Sequence, residues 1–213
     1  MVLQFNHIKR KSNEIIKKYG ANINPQLPIL DYQGVRNNDE IIKRVTIMAG
    51  MVYIAHQAPP LVIRKWIEGQ GLYQYITEFE KVILEKNEGE LTSVEILKLK
   101  WYVESLWALA WVLGINRNFK IDESVGNDLI QMVPDVRKKQ NYSTLKANTL
   151  MLSEKEIYEQ ADLYYRVHWY CIDTRLKGVN SSKFDEGTIM ERRRALDWVI
   201  TPEKEWDEID LNT

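Results

Sequence analysis

One cysteine, six prolines, ten glycines and three histidines are spread over 213 residues. Each scarcity closes a class. A lone Cys171 cannot form an intramolecular disulfide or a cysteine-built metal site, and it fits a reducing compartment. The histidines, His7, His56 and His168, have no helical ligand spacing, so no zinc site is expected. Glu-x-x-His motifs of carboxylate bundle metals are absent, as are a Walker loop, Gly-x-Gly-x-x-Gly and Gly-x-Ser-x-Gly. No cofactor is therefore expected. The N-terminus lacks the basic-then-apolar layout of a signal peptide. The longest stretch without Asp, Glu, Lys or Arg, Val45–Ile63, holds His56, Pro59 and Pro60, which break a spanning helix; it reads as a buried helix and then a turn. No membrane partner is expected, and the cytoplasm is the default location.

What is present is ordinary for a soluble globular chain: 45% hydrophobic, 28% charged, net charge −1. The charge is uneven. Residues 1–66 hold ten Lys/Arg against four Asp/Glu, and the remainder is correspondingly acidic. Segregation of this kind fits two parts of one folded unit that attract each other, and points only weakly to a partner. The basic runs Lys9–Lys11, Arg137–Lys139 and Arg192–Arg194 come with no recognition-helix motif, so no nucleic-acid partner is expected.

The few glycines and prolines punctuate long periodic runs, which predicts an all-α, single-domain bundle of about seven or eight helices, with 1–90 as a candidate subdomain packed on 91–213. The pattern predicts helices over Ile8–Tyr19, from Asp39 (capped by Asn37 or Asn38) to Gln57, and over Leu61–Glu68 and Leu72–Lys86. It predicts further helices from the capping box Thr92-x-x-Glu95 to Leu113, over Glu123–Met132, from the capping box Ser153-x-x-Glu156 to a stop at Gly178, and from Asp185 to Ile200. Trp206 in the acidic tail suggests an anchored terminus.

Titratable groups fall on apolar helix faces. Glu104 is the sole charge in Trp101–Ile115 and sits between Leu97, Trp107 and Trp111 on the helical wheel. His168 and Arg175, seven apart, lie within the apolar arc of the helix after Ser153. Arg192 lies between Leu196 and Val199, whereas Arg193 and Asp197 pair along the opposite edge. Asp162–Arg166 and Asp173–Lys177 are i,i+4 pairs on an edge open to two readings, solvated or a buried network. Glu104 or His168 would be the acid–base candidate if the cluster were a site, and Arg175 with Arg192 would hold an anion. Alternatively the same groups pair with one another and fix helix packing.

The residues Asp39–Arg44, Trp101–Gly114, Tyr165-Arg166-x-His168-Trp169 continuing to Asp173-x-Arg175-Leu176, Glu191-Arg192-x-x-Ala195-Leu196-x-Trp198 and Trp206-Asp207 resemble the uncharacterised bacterial family called domain of unknown function 4272. The resemblance covers nearly the whole chain. It emphasises Glu104, Arg166, His168, Asp173, Arg175, Glu191 and Arg192, and it brings no activity with it. The family's tail runs from Trp-Asp to Asp-Thr; here it ends Asp210-Leu211-Asn212-Thr213. Three readings follow: a non-enzymatic protein-interaction, regulatory or immunity factor; a small-ligand binder or enzyme acting on an anionic substrate; and a structural homo-oligomer suggested by seven tryptophans.

Overall fold

The computed structural model describes residues 3–147, 149–179 and 183–212; of the tail, Thr213 lies outside the described residues. Among these the chain is all helical, with nine α-helices, three short 3-10 turns and no strand. No helix among them is long and apolar enough to cross a membrane. The helices are α1 (Phe5–Lys18), α2 (Asn38–Ala55), α3 (Pro60–Glu68), α4 (Glu78–Leu84), α5 (Ser93–Val112), α6 (Leu129–Met132), α7 (Tyr142–Lys146), α8 (Glu154–Leu176) and α9 (Glu186–Ile200).

The chain divides into two compact units. The first comprises residues 1–36, 119–124 and 152–213. In it α8 packs against both α9 and α1, and Ile8, Ile16, Tyr158, Val167, Leu196 and Val199 are buried. The α8 start is a complete capping box, with Ser153 accepting from Glu156 N and Glu156 reaching back to Ser153 N. Asp185 caps α9 by accepting from Thr188 N. Gly178, at φ +66°, takes the left-handed turn that ends α8. The tail is anchored: Trp206 is buried and meets Trp198 edge-on, ring centroids 5.5 Å apart.

The second unit comprises residues 37–118 and 125–151. Here α2 packs along α5, with α3 and α7 also against α2. Ile41, Val45, Met48, Leu99, Leu106 and Leu109 are buried between them. Asn37 caps α2 through Glu40 N at 3.0 Å. After α2 the charge-free stretch turns at Pro59, and Pro60 opens α3. At the α5 end, Gly114 stands at φ +70° against the Leu150 carbonyl, where a Cβ would collide.

Two predicted helices are shorter than the pattern implies. The run Leu72–Lys86 is a 3-10 turn at Tyr73–Tyr75 followed by α4, because Thr77 is extended and forms a capping box with Glu80. Of Glu123–Met132 only α6 is helical. The short helix α7, capped by Asn141, has too few apolar repeats to be read from sequence.

Candidate functional site

A polar network of the first unit lies between α8, α9 and the tail. Arg193 is its centre. Its Nε donates to Asp197 Oδ2 at 3.0 Å, its Nη1 lies 2.7 Å from His168 Nδ1, and it donates to the carbonyls of Leu211 at 2.9 Å and Asn212 at 3.4 Å. The Tyr165 ring lies 4.9 Å from its guanidinium carbon. A guanidinium has no acceptor, so His168 Nδ1 accepts and the ring is neutral. Burial, reinforced by Arg193 and Arg175, pushes the His168 pKa down to about 4. Burial outweighs the pull of Arg193 on Asp197 and pushes its carboxyl up to about 6.

Three more arginines of this unit are buried. Arg166 holds Asp162 at 2.8 and 2.9 Å and the Pro28 carbonyl at 3.0 Å. Arg192 donates to the carbonyls of Lys120 at 2.9 Å and Glu123 at 2.8 Å and to the Tyr164 hydroxyl at 3.2 Å. Arg36 donates to the carbonyls of Trp198, Thr201 and Lys204 and stacks 4.1 Å from the Trp198 ring centroid. Each therefore satisfies backbone acceptors of a non-helical segment or helix end, which need partners when buried.

Beside Arg193 opens a cavity of about 260 Å³, walled by the segment Pro28–Asp31, Tyr165, Arg193, Asp197 and the tail residues Ile209, Asp210 and Asn212. Asp197 Oδ1, fully buried, has no hydrogen-bond partner. Among the described residues no group of three His, Cys, Asp or Glu is placed to hold a metal ion.

A family model described as domain of unknown function (DUF4272) matches residues 8–209. The chain belongs to this family. No curated protein and no solved structure matches it. The DUF4272 match includes His168, Arg193 and Asp197 and ends before Leu211 and Asn212, the tail residues that Arg193 holds.

The residues that sequence reasoning singled out fall in both units of this DUF4272 chain. His168, Arg166 and Arg192 are buried in the first unit, as their wheel positions allow. Glu104 belongs to the second unit, on α5, where it is half-buried; Leu97, on the same face, is 57% exposed. The expectation that this face of α5 is fully buried is thus corrected. Arg175 is also corrected. It lies in the last turn of α8, past the packed part of the helix, exposed and paired with Glu186 at 3.0 Å. Asp173 pairs with Lys177 at 2.7 Å on the surface, and Glu191, half-buried, lies 3.5 Å from Arg194. The open question about Asp162–Arg166 closes on the buried network.

Three central residues were not among the sequence candidates. Arg193 and Asp197 were visible as an i,i+4 pair but sat on the edge opposite the apolar side. The returning tail covers that edge, and no periodicity within α9 reports it. Arg36 sits in a loop, where no wheel applies.

Proposed function

We propose that the protein is a non-enzymatic binding protein that recognises another protein through the surface of α3, α4 and the start of α5. One observation carries this reading. Of eleven exposed large hydrophobic side chains among the described residues, six lie between residues 61 and 97: Leu61, Val62, Tyr75, Val82, Val94 and Leu97. The helices that carry them are neighbours, since α3 packs on α4 and Lys98 of α5 lies 3.7 Å from the Phe79 ring centroid of α4. Single exposed apolar residues are normal, but several on neighbouring elements support a docking surface. Of the two arginines that would have held an anionic substrate, Arg192 donates to the Lys120 and Glu123 carbonyls and Arg175 pairs with Glu186 on the surface, so they do not form one anion site. We place the protein in the cytoplasm, which its single cysteine supports.

The test is affinity purification of the tagged chain from its native host, beside the double variant Val82→Glu, Leu97→Glu. The parent retains a stoichiometric partner and the variant, with unchanged circular dichroism, loses it. Absence of any stoichiometric partner across several growth conditions, with a monomer by light scattering at micromolar concentration, overturns the reading. A parent that scatters as a dimer while the variant scatters as a monomer replaces it with self-association.

A further inference from the structure

After α6 the second unit opens a cavity of about 380 Å³, walled by Ile130, Gln131, Asp135, Arg137, Lys138 and Gln140. Two of these walls, Arg137 and Lys138, belong to the basic run that the sequence leaves without a role. The acid among the walls is already used. Asp135 Oδ1 accepts from the Tyr53 hydroxyl, Arg137 N and Arg137 Nε, each at 3.0 Å, and its Oδ2 accepts from Arg137 Nη2 at 2.9 Å. The hydrogen bonds from Arg137 hold the Asp135 carboxyl well below the ordinary carboxylate range. Asp135 is thus ionised, matched by that guanidinium, and has little to offer a cation.

Donors remain. A guanidinium carries five N–H groups. Two of those on Arg137 are held by Asp135, and the other three point away from that carboxylate. The Arg137 side chain is 71% exposed, so these groups can be reached, yet the buried acid fixes the fork in place. Gln140 Oε1 accepts from Asp135 N at 2.9 Å. A backbone N–H is met only by the amide oxygen, so Gln140 turns its Nε2 donors the other way, and they have no acceptor among the described residues. Lys138 is exposed, and its ammonium has no ion-pair partner among the described residues.

Donors of three residues therefore surround one space whose acceptors are spent. What fits is an anion with several oxygens, and a phosphate monoester presents three. The remaining walls, Ile130 and Gln131, are both exposed; an apolar side chain and an uncommitted amide suit a short carbon chain bearing hydroxyls. No aromatic side chain stands among the walls, so a nucleobase would find nothing to stack on. The volume of 380 Å³ is room for roughly a dozen water-sized groups at about 30 Å³ each.

We propose that this cavity binds a small polyol phosphate, whose phosphoryl oxygens accept from Arg137, Lys138 and Gln140 Nε2. The site is independent of the docking surface, since none of the six apolar side chains there lines it.

The experiment is calorimetric titration with glycerol 3-phosphate at low salt and pH 7.5, where the phosphate carries close to two charges. Glycerol and inorganic phosphate are the neutral and truncated probes. So small a ligand binds with a Kd of about a millimolar, and both other probes should bind at least about tenfold more weakly. Lys138→Gln removes one charge from the wall and should weaken glycerol 3-phosphate about tenfold. Lys139→Gln removes the same charge from the next residue, which does not line the cavity, and should leave the affinity within about threefold of the parent. Arg137→Lys keeps the charge without the fork and should weaken binding about tenfold; if it folds poorly, the lysine pair decides. Equal losses in Lys138→Gln and Lys139→Gln overturn the proposal, because a diffuse basic surface then suffices. So does binding of glycerol or inorganic phosphate as tight as that of the monoester, or no binding by the parent at tens of millimolar.

Discussion

In the first unit Arg36, Arg166, Arg192 and Arg193 are buried, and every one reaches a backbone carbonyl: of Trp198 to Lys204, of Pro28, of Lys120 and Glu123, and of Leu211 and Asn212. In the second unit the buried arginine among the described residues, Arg44, forks onto the carboxylate of Glu80. Glu80 in turn closes the capping box of α4 by accepting from Thr77 N at 2.9 Å. Both arrangements pin an element that periodicity alone would not hold. They differ in what stands at the far end. A side-chain acceptor can be exchanged for another side chain, whereas a backbone carbonyl is there whatever the sequence. The first kind of clamp should be replaceable as a pair, and the second should not.

The largest effect is expected from Arg192→Met. It removes a donor from the part-buried Lys120 and Glu123 carbonyls and from the Tyr164 hydroxyl, which itself still donates to Lys120 at 3.5 Å; at about 1–3 kcal/mol for each weakened contact the loss is about 5 kcal/mol. For a chain of this size that lowers the midpoint by roughly 10–20 °C. A loss under about 1 kcal/mol in urea denaturation would mean that water or a local shift satisfies the 120–123 carbonyls, and the distinction between the two clamps would weaken.

Arg44→Met should come next, at about 3–5 kcal/mol, because it strands Glu80 as a buried charge. Here the comparison sharpens. Adding Glu80→Gln neutralises the stranded group while its amide oxygen still accepts from Thr77 N. The double variant should return to within about 1 kcal/mol of the parent, as buried ion pairs replaced together often do. No second side-chain change should do the same for Arg192→Met. Additive losses in the Arg44–Glu80 cycle would erase the difference.

Acid titration separates the two neighbours of Arg193. Burial holds Asp197 near 6 against an ordinary value of 3.8, so between these values the folded state keeps a proton that the unfolded chain has released. Its contribution to stability is full below about 4 and is lost as pH rises through 6. His168 runs the other way. It stays neutral when folded down to about 4, against 6.5 when free, so its contribution is present above 6.5 and lost as pH falls. Between pH 4 and 6 the two slopes oppose each other in the parent. His168→Gln, which can still accept from Arg193, should make stability fall with rising pH relative to the parent. Asp197→Asn should make it rise. Parallel pH profiles for parent and variants would mean that neither group changes its proton on unfolding.

The helices were legible because their signals are local. Ser153 and Thr92 announce α8 and α5 three residues ahead of their acidic partners, and Gly178 marks a stop that the backbone takes at φ +66°. The site was only half legible because its signals are not local. A wheel drawn for α9 puts Arg192 inside and Arg193 outside, yet both are buried, since what covers Arg193 comes from residues 211 and 212. Thr77 and Glu80 form a box as complete as the other two, but it lies inside a run whose apolar spacing reads as one continuous helix. Arg36 had no periodic context from which its three carbonyl partners could be inferred.

Arg175 provides the smallest expected effect, and it tests the wheel itself. The repeat places it seven residues after His168, on the same face, and for an endless helix packed along its whole length that face would stay buried. The helix is finite. At its last turn the neighbouring Leu176 is 75% exposed, and Arg175 meets Glu186 in water. Surface pairs of this kind contribute about 0–1 kcal/mol. Arg175→Gln should therefore shift the urea midpoint within that range, and its effect should shrink further in high salt, which screens exposed charges. It should also allow His168 to protonate slightly more easily, because Arg175 is one of the two charges that disfavour the imidazolium. A loss as large as that of Arg192→Met would show that the last turn of α8 is packed after all, and the periodic reading would then have been right where the structure corrects it.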